Sequence, residues 1–239
     1  MYIYVLVQDK DSYYRDGAGG GKIKARLEQA SGERCLVVPY EEFNMETVKE
    51  LNPRAITMSG FGNHFQTYSI ESFYGMYDVL HQVEIPVICF CGSHQLLGFS
   101  YNLDFHNTPR LEDEPMRLLD PQEDLPRRAR NNPKYDMSRY YVADGFFPIK
   151  KVKDDPLFEG LSDNMIMRCS HYCEVKKLPY NFEILARSGH CRIEAMKHKT
   201  KIIYGTQFHP EAYDEPYYDG KTLLENFSKI VCRFWDTRY

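Results

Sequence analysis

The 239-residue chain has no long apolar run, and its mean hydropathy is −0.55. A spanning helix needs about 20 consecutive apolar residues, so a membrane span is excluded. Basic residues are not in excess. Thirty Lys and Arg stand against 34 Asp and Glu, giving a formal net charge of −4 and a pI near 6.1. A protein whose main business is gripping nucleic acid needs a basic surface, so that class is set aside. A basic leader and a small-residue cleavage site are missing, and the first apolar stretch, Tyr2–Val7, is read as a strand and not as an export signal. The cysteines do not form an even set. The seven (Cys35, Cys89, Cys91, Cys169, Cys173, Cys191 and Cys232) predict free thiols in a reducing, cytoplasmic setting. Repeats and a clear linker are also lacking, which predicts one domain over residues 1–239.

What is present reads as α/β. Short apolar runs at Tyr2–Val7, Cys35–Pro39, Ala55–Met58 and Pro86–Phe90 alternate with helical stretches at Lys22–Ala30, Met45–Leu51 and Ile70–Val83. Strand, helix, strand, repeated, predicts a mostly parallel central sheet flanked by helices. After residue 142 the chain becomes strand-rich, with runs at Gly145–Val152, Met165–Cys169, Phe182–Ser188, Arg192–Lys197 and Lys201–Gln207. It closes with Lys221–Asp236, where Leu223, Leu224, Phe227, Ile230, Val231 and Phe234 share one helical face. Between these parts, residues 107–141 hold five prolines and dense mixed charge with no period. That stretch is read as a surface insertion, with a lid or partner-docking loop as the sharper alternative.

One glycine run misleads. Gly17-Ala-Gly-Gly-Gly-Lys22 follows the first strand, where a phosphate loop would sit. Lys22 stands where the dinucleotide pattern needs glycine, Asp16 where the P-loop needs one, and Ile23 where the P-loop needs Ser or Thr. It is read as a plain loop.

Two segments carry chemistry. In Pro86-Val-Ile-Cys-Phe-Cys91-Gly-Ser-His-Gln95, an apolar strand runs straight into a helical pattern through a cysteine. A nucleophile on so sharp a turn needs small neighbours two residues away, and Cys89 and Ser93 fill those places. The turn puts the Cys91 sulfur at a helix start, where the dipole favours an anion, with the Gly92 N–H directed the same way. In Tyr204-Gly-Thr-Gln-Phe-His209-Pro-Glu211, His209 and Glu211 are two apart and would share a face of an extended chain. A histidine held by a carboxylate is a competent base for a thiol, so Cys91, His209 and Glu211 form a candidate acyl-transfer triad.

The chain here resembles the class I, triad-type glutamine amidotransferases. Pro86, Cys91, Gln95, Gly205, Gln207, Phe208, His209, Pro210 and Glu211 match the family's nucleophile and base segments. Ser59-Gly60-Phe61-Gly62 stands where the family carries a Ser-Gly-Gly-Pro oxyanion loop, and Ser170-His171-Tyr172-Cys173-Glu174-Val175 is similar to the Ser-His-x-Asp-x-Val tract beside the glutamine pocket. From Phe182 to Glu211 the likeness is strongest to the glutaminase subunit of GMP synthetase. The departures are Cys89 and Ser93 for the elbow glycines, Phe61 and Gly62 for the loop Gly-Pro, and Cys173 for the acidic residue.

The resemblance implies a flavodoxin-like amidotransferase fold and a glutaminase. Cys91 attacks the side-chain amide of glutamine, His209 moves the proton, and Glu211 holds the imidazole. The Gly92 and Phe61 N–H groups bind the oxyanion. Gly60, Gln95, Ser170, His171 and Tyr172 surround the substrate. No metal or organic cofactor is needed, and the implied partner is a synthetase subunit that takes the ammonia. The competing readings are a free-standing hydrolase of other γ-glutamyl compounds, favoured somewhat by the insertion and Cys173, and a non-catalytic regulatory subunit, against which the intact triad stands. Cys89, Cys91, His94, Cys169, His171 and Cys173 offer ligand chemistry, but Cys89-x-Cys91 is too tight for zinc spacing and no second pair follows, so no metal site is predicted. His64 and His94 are read as hydrogen-bonded neighbours of the site. The Lys150-Lys151-x-Lys153 run is read as a solvated edge.

Overall fold

Strand β1 (Tyr2–Leu6) is apolar and buried at every position, because its two faces serve two different cores. Tyr2, Tyr4 and Leu6 pack with Leu27, Leu223 and Phe227, while Ile3 and Val5 pack with Val48, Val79 and Leu80. The alternation follows from the period of two along a strand. A computed structural model describes this arrangement for residues 1–8, 20–123 and 134–238.

Helices α1 (Gly21–Ser31) and α5 (Asp219–Asp236) cover the first face, and α2 (Met45–Leu51), α3 (Tyr74–Gln82) and α4 (Gly92–Asn102) contribute to the second. The predicted face of α5 is the one buried, with Leu223, Leu224, Phe227, Ile230 and Val231 inside and Phe234 half-buried. Helix α2 starts on Asn44, whose side chain accepts from the Thr47 N–H at 3.0 Å, and stops at Asn52 in the left-handed region. The helix expected over Ile70–Val83 is instead a 3-10 turn at Ile70–Phe73 followed by α3.

The described strands join in one sheet in the order β2-β1-β3-β4-β9-β8-β7-β5-β6. Strands β2 (Cys35–Pro39), β1, β3 (Ala55–Met58), β4 (Val87–Phe90) and β9 (Ile203–Thr206) are parallel and form the central part between the helices. Strands β8 (Ala195–His198), β7 (Phe182–Arg187), β5 (Ala143–Lys151) and β6 (Asn164–His171) extend it antiparallel. The strand-rich part after residue 142 is therefore a continuation of the sheet, and its last strand returns to the centre beside β4. No helix among the described residues is long and apolar enough to cross a membrane.

The region read as a surface insertion is built into the body where it is described. Leu111, Asp113, Met116, Met137 and Tyr141 are buried, and Pro115 and Leu118 form bridges to Cys173 and Tyr140. The Met116 N–H donates to the Tyr172 carbonyl at 3.0 Å. Leu111, Met116 and Met137 each stand alone among prolines, charges and small polar residues, so no period advertised them. Residues 124–133 of that region, and Gly17–Gly19 of the glycine run, lie outside the described residues. Gly20 and Gly21 open α1, and a Cβ on Gly20 would come into contact with Val37, Tyr4 and Leu6. The lysine edge is ion-paired: Lys151 lies 3.3 Å from Asp163 and Lys153 lies 2.6 Å from Glu183.

Candidate active site

Strand β4 delivers Cys91 to the end of the parallel sheet. Its N–H donates to the Thr206 carbonyl of β9 at 2.7 Å, and its own carbonyl accepts from Gln95 N at 3.0 Å, opening α4. Between these two bonds the backbone is forced to φ 47° and ψ −105°. That is costly for a residue with a Cβ and typical of functional turns. The thiol is left at the N-terminal end of α4, 3.9 Å from the Ser170 carbonyl, and accepts from Gln207 Nε2 at 3.7 Å.

The second segment leaves β9 at Thr206. The His209 N–H donates to the Arg168 carbonyl at 2.8 Å, and Pro210–Ala212 then form a 3-10 turn. The pairing of His209 with Glu211 is present, at 2.7 Å between Nδ1 and Oε1, but the turn makes it and not an extended strand. Proline fixes the first step of that turn. Arg26 of α1 clamps it from outside, donating to the Glu211 carbonyl at 2.6 Å and lying 4.0 Å over the Tyr213 ring. Burial works against the His209 imidazolium, but the charges of Glu211 and Cys91 and its hydrogen bonds to both hold it well above the usual histidine range.

Gly60 shows how closely the two segments meet. A Cβ placed there would lie 2.9 Å from His209 Cε1, 3.7 Å from His209 Nε2 and 3.3 Å from Cys91 Cβ. The imidazole edge and the cysteine thus converge on one point that only a glycine leaves open. Gly92 is equally constrained: a Cβ there would come within 2.5 Å of the Phe61 ring. That ring stacks on Phe73 at 5.5 Å and abuts Phe65 at 4.9 Å, which fixes the loop. Ser93 ties the same loop down, its hydroxyl donating to the Ser59 carbonyl at 2.5 Å.

A cavity of about 440 Å³ opens over these groups. Gly60, Phe61, Cys91, Gly92, Gln95, Ser170, His171, Tyr172, His209 and Glu211 all line it, so every site residue expected from sequence is brought together. Gln95 donates to the Cys173 carbonyl at 3.1 Å and to Gln207 Oε1 at 3.3 Å. His171 Nδ1 lies 3.1 Å from the Cys173 carbonyl, and burial pulls the imidazole down to about 4.

Sequence reasoning missed several wall residues. Asp113, from the proline-rich region, accepts from Phe65 N at 2.8 Å and holds His64 Nδ1 at 2.5 Å. His64 in turn meets the Tyr172 hydroxyl at 3.1 Å. Arg168 lines the cavity and pairs with Asp144 at 2.6 Å. Tyr4 lines it from β1, its phenol pushed up by burial and then by the Glu211 charge. Gln207, which bonds both Cys91 and Gln95 from behind, carried a signal through its place in the base segment.

His64 and His94 are hydrogen-bonded neighbours, as expected. His94 is buried against the Ile193 carbonyl at 3.0 Å, and burial lowers it to about 4. The six potential ligands do not gather. Cys89 faces the Met58 sulfur at 3.8 Å, while Cys169 and His171 lie with His190 and Glu194.

A thiol at a helix start, an imidazole facing it and a carboxylate on the far nitrogen can pass a proton while the sulfur attacks a carbonyl. The chain matches the family described as "Glutamine amidotransferase class-I" over residues 22–230. A relative from Methanosphaera stadtmanae, named as a subunit of glutamine-hydrolyzing GMP synthase, is 30% identical over 209 residues, covering 87% of this chain and 90% of its own. A protein of the same name from Methanococcus maripaludis is 34% identical over 217 residues, covering 88% and 92%. Among solved structures, a protein from Thermoplasma acidophilum described as a GMP synthase subunit shares the fold with a TM-score of 0.69 at 17% identity, covering 100% of this chain and 98% of that one.

Proposed function

The chain belongs to the class I glutamine amidotransferase family, and from that premise we propose that Cys91, His209 and Glu211 carry its glutamine hydrolysis and that the ammonia goes to the synthetase subunit of a GMP synthase. The Cys91 sulfur attacks the side-chain carbonyl of glutamine, a C–S bond forms, and the charge gathers on oxygen. The Gly92 and Phe61 N–H groups receive that oxyanion. Collapse breaks the C–N bond, His209 supplies the proton, and ammonia leaves. Water, deprotonated by His209, then cleaves the thioester to glutamate and restores the thiol. Glu211 orients the imidazole and balances its charge throughout. Gln95 and the backbone at Ser170, His171 and Tyr172 hold the amino-acid end of the substrate, with Gly60 beside it.

The observation that carries this reading is the convergence of His209 and Cys91 on Gly60, with Glu211 2.7 Å behind the imidazole. The ammonia acceptor rests on the names borne by the relatives. Residues 1–239 act as one amidotransferase domain with 107–141 inserted. The cytoplasm suits it, because all seven cysteines are free thiols.

Ammonia release from glutamine by the isolated chain is the test, run beside γ-glutamyl dipeptides and the Cys91→Ala variant. Glutamine turnover is expected to be slow alone, to rise when a GMP synthase synthetase subunit is added, and to vanish in Cys91→Ala. Turnover of dipeptides without glutamine would replace the reading with a γ-glutamyl hydrolase. No turnover, with Cys91 inert to a glutamine-like alkylator, would replace it with a regulatory subunit.

A further inference from the structure

A second cluster of chemistry-bearing side chains lies beside the cavity and has no part in the glutaminase scheme as a set. It arises from the pleat of β6. Cys169 and His171 are two apart, share a face of the strand and are buried, while Arg168 and Ser170 on the other face are half-buried; Arg168, Ser170 and His171 all reach the cavity wall. The β7–β8 connection brings His190 and Glu194 up to them. One ligand-capable atom from each of Cys169, His171, His190 and Glu194 lies within 4.8 Å of all the others. His190 Nε2 is already 3.4 Å from Glu194 Oε1. Exposure is 0% for Cys169 and Glu194 and 2% for His171, and the His190 side chain retains 9%.

The hydrogen bonding inside this group does not close. His171 Nε2, His190 Nε2 and both carboxylate oxygens of Glu194 are buried without a hydrogen-bond partner. Buried polar atoms are nearly always satisfied, so four in one place require a reason. One cation at the centre would satisfy them together. The histidine geometry fits that use. His171 donates from Nδ1 to the Cys173 carbonyl at 3.1 Å, because a carbonyl can only accept, and this leaves Nε2 as the lone-pair nitrogen toward the cluster. A backbone carbonyl on the far nitrogen is the usual support of a metal-bound histidine.

We propose that Cys169, His171, His190 and Glu194 bind one zinc-class divalent cation, which fastens the β7–β8 connection to β6. One thiolate, two imidazoles and one carboxylate make a four-donor set that suits Zn²⁺ and not the all-oxygen preference of Mg²⁺ or Ca²⁺. Tetrahedral bonds of about 2.0–2.3 Å place ligand atoms about 3.3–3.7 Å apart, so the cluster contracts by about 1 Å at its widest. Binding takes the proton from Cys169 and releases it to solvent. A spacing rule applied to the sequence does not reach such a set, because the four residues come from two separate segments. Ser170 sits between two of the ligands, and its carbonyl faces Cys91 at 3.9 Å, so the cation would also stiffen that wall of the cavity.

The full chain, stripped with a chelator and desalted, is titrated with Zn²⁺, and metal content is read by elemental analysis. Co²⁺ serves as a spectroscopic probe. We expect one equivalent of Zn²⁺ per chain and a thiolate-to-cobalt charge-transfer band. Cys169→Ser should abolish the band, and His190→Ala should weaken Zn²⁺ binding about tenfold or more. Cys91→Ala should retain both, which separates this site from the nucleophile. Substoichiometric metal in the wild type, a band that disappears in Cys91→Ala, or undiminished affinity in His190→Ala would each overturn the proposal. If Cys169→Ser fails to fold, the His190→Ala arm still decides. Metal is read without glutamine turnover, so the result stands apart from the function proposed above.

Discussion

Replacing Gly60 by alanine is the most discriminating single change. The backbone at Gly60 lies outside the left-handed region, so the peptide chain itself admits alanine. The added methyl would lie 2.9 Å from His209 Cε1 and 3.3 Å from Cys91 Cβ. Ordinary carbon contacts are about 3.5–4.0 Å, so the pair must separate by roughly 0.6–1 Å. Cys91 is pinned by its backbone bonds to Thr206 and Gln95, so the imidazole is the part that yields. A displacement of about 1 Å between reacting groups costs on the order of 10²-fold in rate, or about 2.7 kcal/mol of barrier. Stability should move far less, because a gain of about 0.4–1 kcal/mol from the stiffer unfolded chain offsets part of a packing strain of about 1–3 kcal/mol. The control is Gly62→Ala in the same loop, where a Cβ meets nothing within 4 Å. Measured together, glutamine kcat/KM, the alkylation rate of Cys91 and the melting temperature should show Gly60→Ala folded and nearly inactive, and Gly62→Ala close to wild type. A folded Gly60→Ala chain within about threefold of wild type would refute the convergence of the two side chains.

Glu211→Gln keeps the shape of the turn and removes the charge behind His209; glutaminase kcat should fall by about 10²-fold or more. His209 is raised in the folded chain, so its stabilisation is fully present below its unfolded value of about 6.5 and is lost as pH rises through the folded value. The melting-temperature gap between wild type and Glu211→Gln should therefore be widest on the acid side of neutrality and close as pH rises; a gap independent of pH would count against the pairing. Asp113→Asn weakens the acceptor for His64 and Phe65, should cost about 1–3 kcal/mol of stability, and should raise the KM for glutamine more than it lowers kcat, because Tyr172 leans on His64. An unchanged KM would remove Asp113 from the substrate wall. Gly205→Ala would put a methyl 2.5 Å from His94 Nδ1 and 3.2 Å from Leu97; overpacking of about 1–3 kcal/mol should lower the melting temperature by several degrees, and an unaltered melt would show that β9 and α4 are less tightly joined than they look.

The parallel half was legible because its signal is local. Cys35–Pro39 is apolar for its full length and Ala55–Met58 is broken only by Thr57, and the structure places strands on those same residues. The sheet order was not legible. Strand β9 lies between β4 and β8 because Cys91 N and Val87 N bond to carbonyls more than 100 positions away, and no local period encodes such a pairing. Asp113 stayed hidden for a related reason. A lone carboxylate among prolines reads as solvent-facing until His64 and the Phe65 N–H are seen to surround it.

At the elbow, the steric demand falls on other positions than the ones expected from sequence. Sequence reasoning asked for small residues at positions 89 and 93, where Cys89 and Ser93 stand. In the structure both are fully buried and usefully occupied: Cys89 packs in the sheet core, and the Ser93 hydroxyl binds the Ser59 carbonyl. The positions that tolerate no side chain are 92 and 60. Phe61 is the cause at 92, since its ring fills the space beside the elbow and closes the approach to that backbone. The loop has thus exchanged a small residue for an aromatic anchor, and Gly92 answers it with the absence of a Cβ. Two departures from the family pattern, Phe61 and Ser93, are in this way coupled, one pressing on the loop from its aromatic side and the other holding it by a hydrogen bond. Substitutions at 61 and 93 should therefore be strongly non-additive, as expected for residues that fix one loop from both sides.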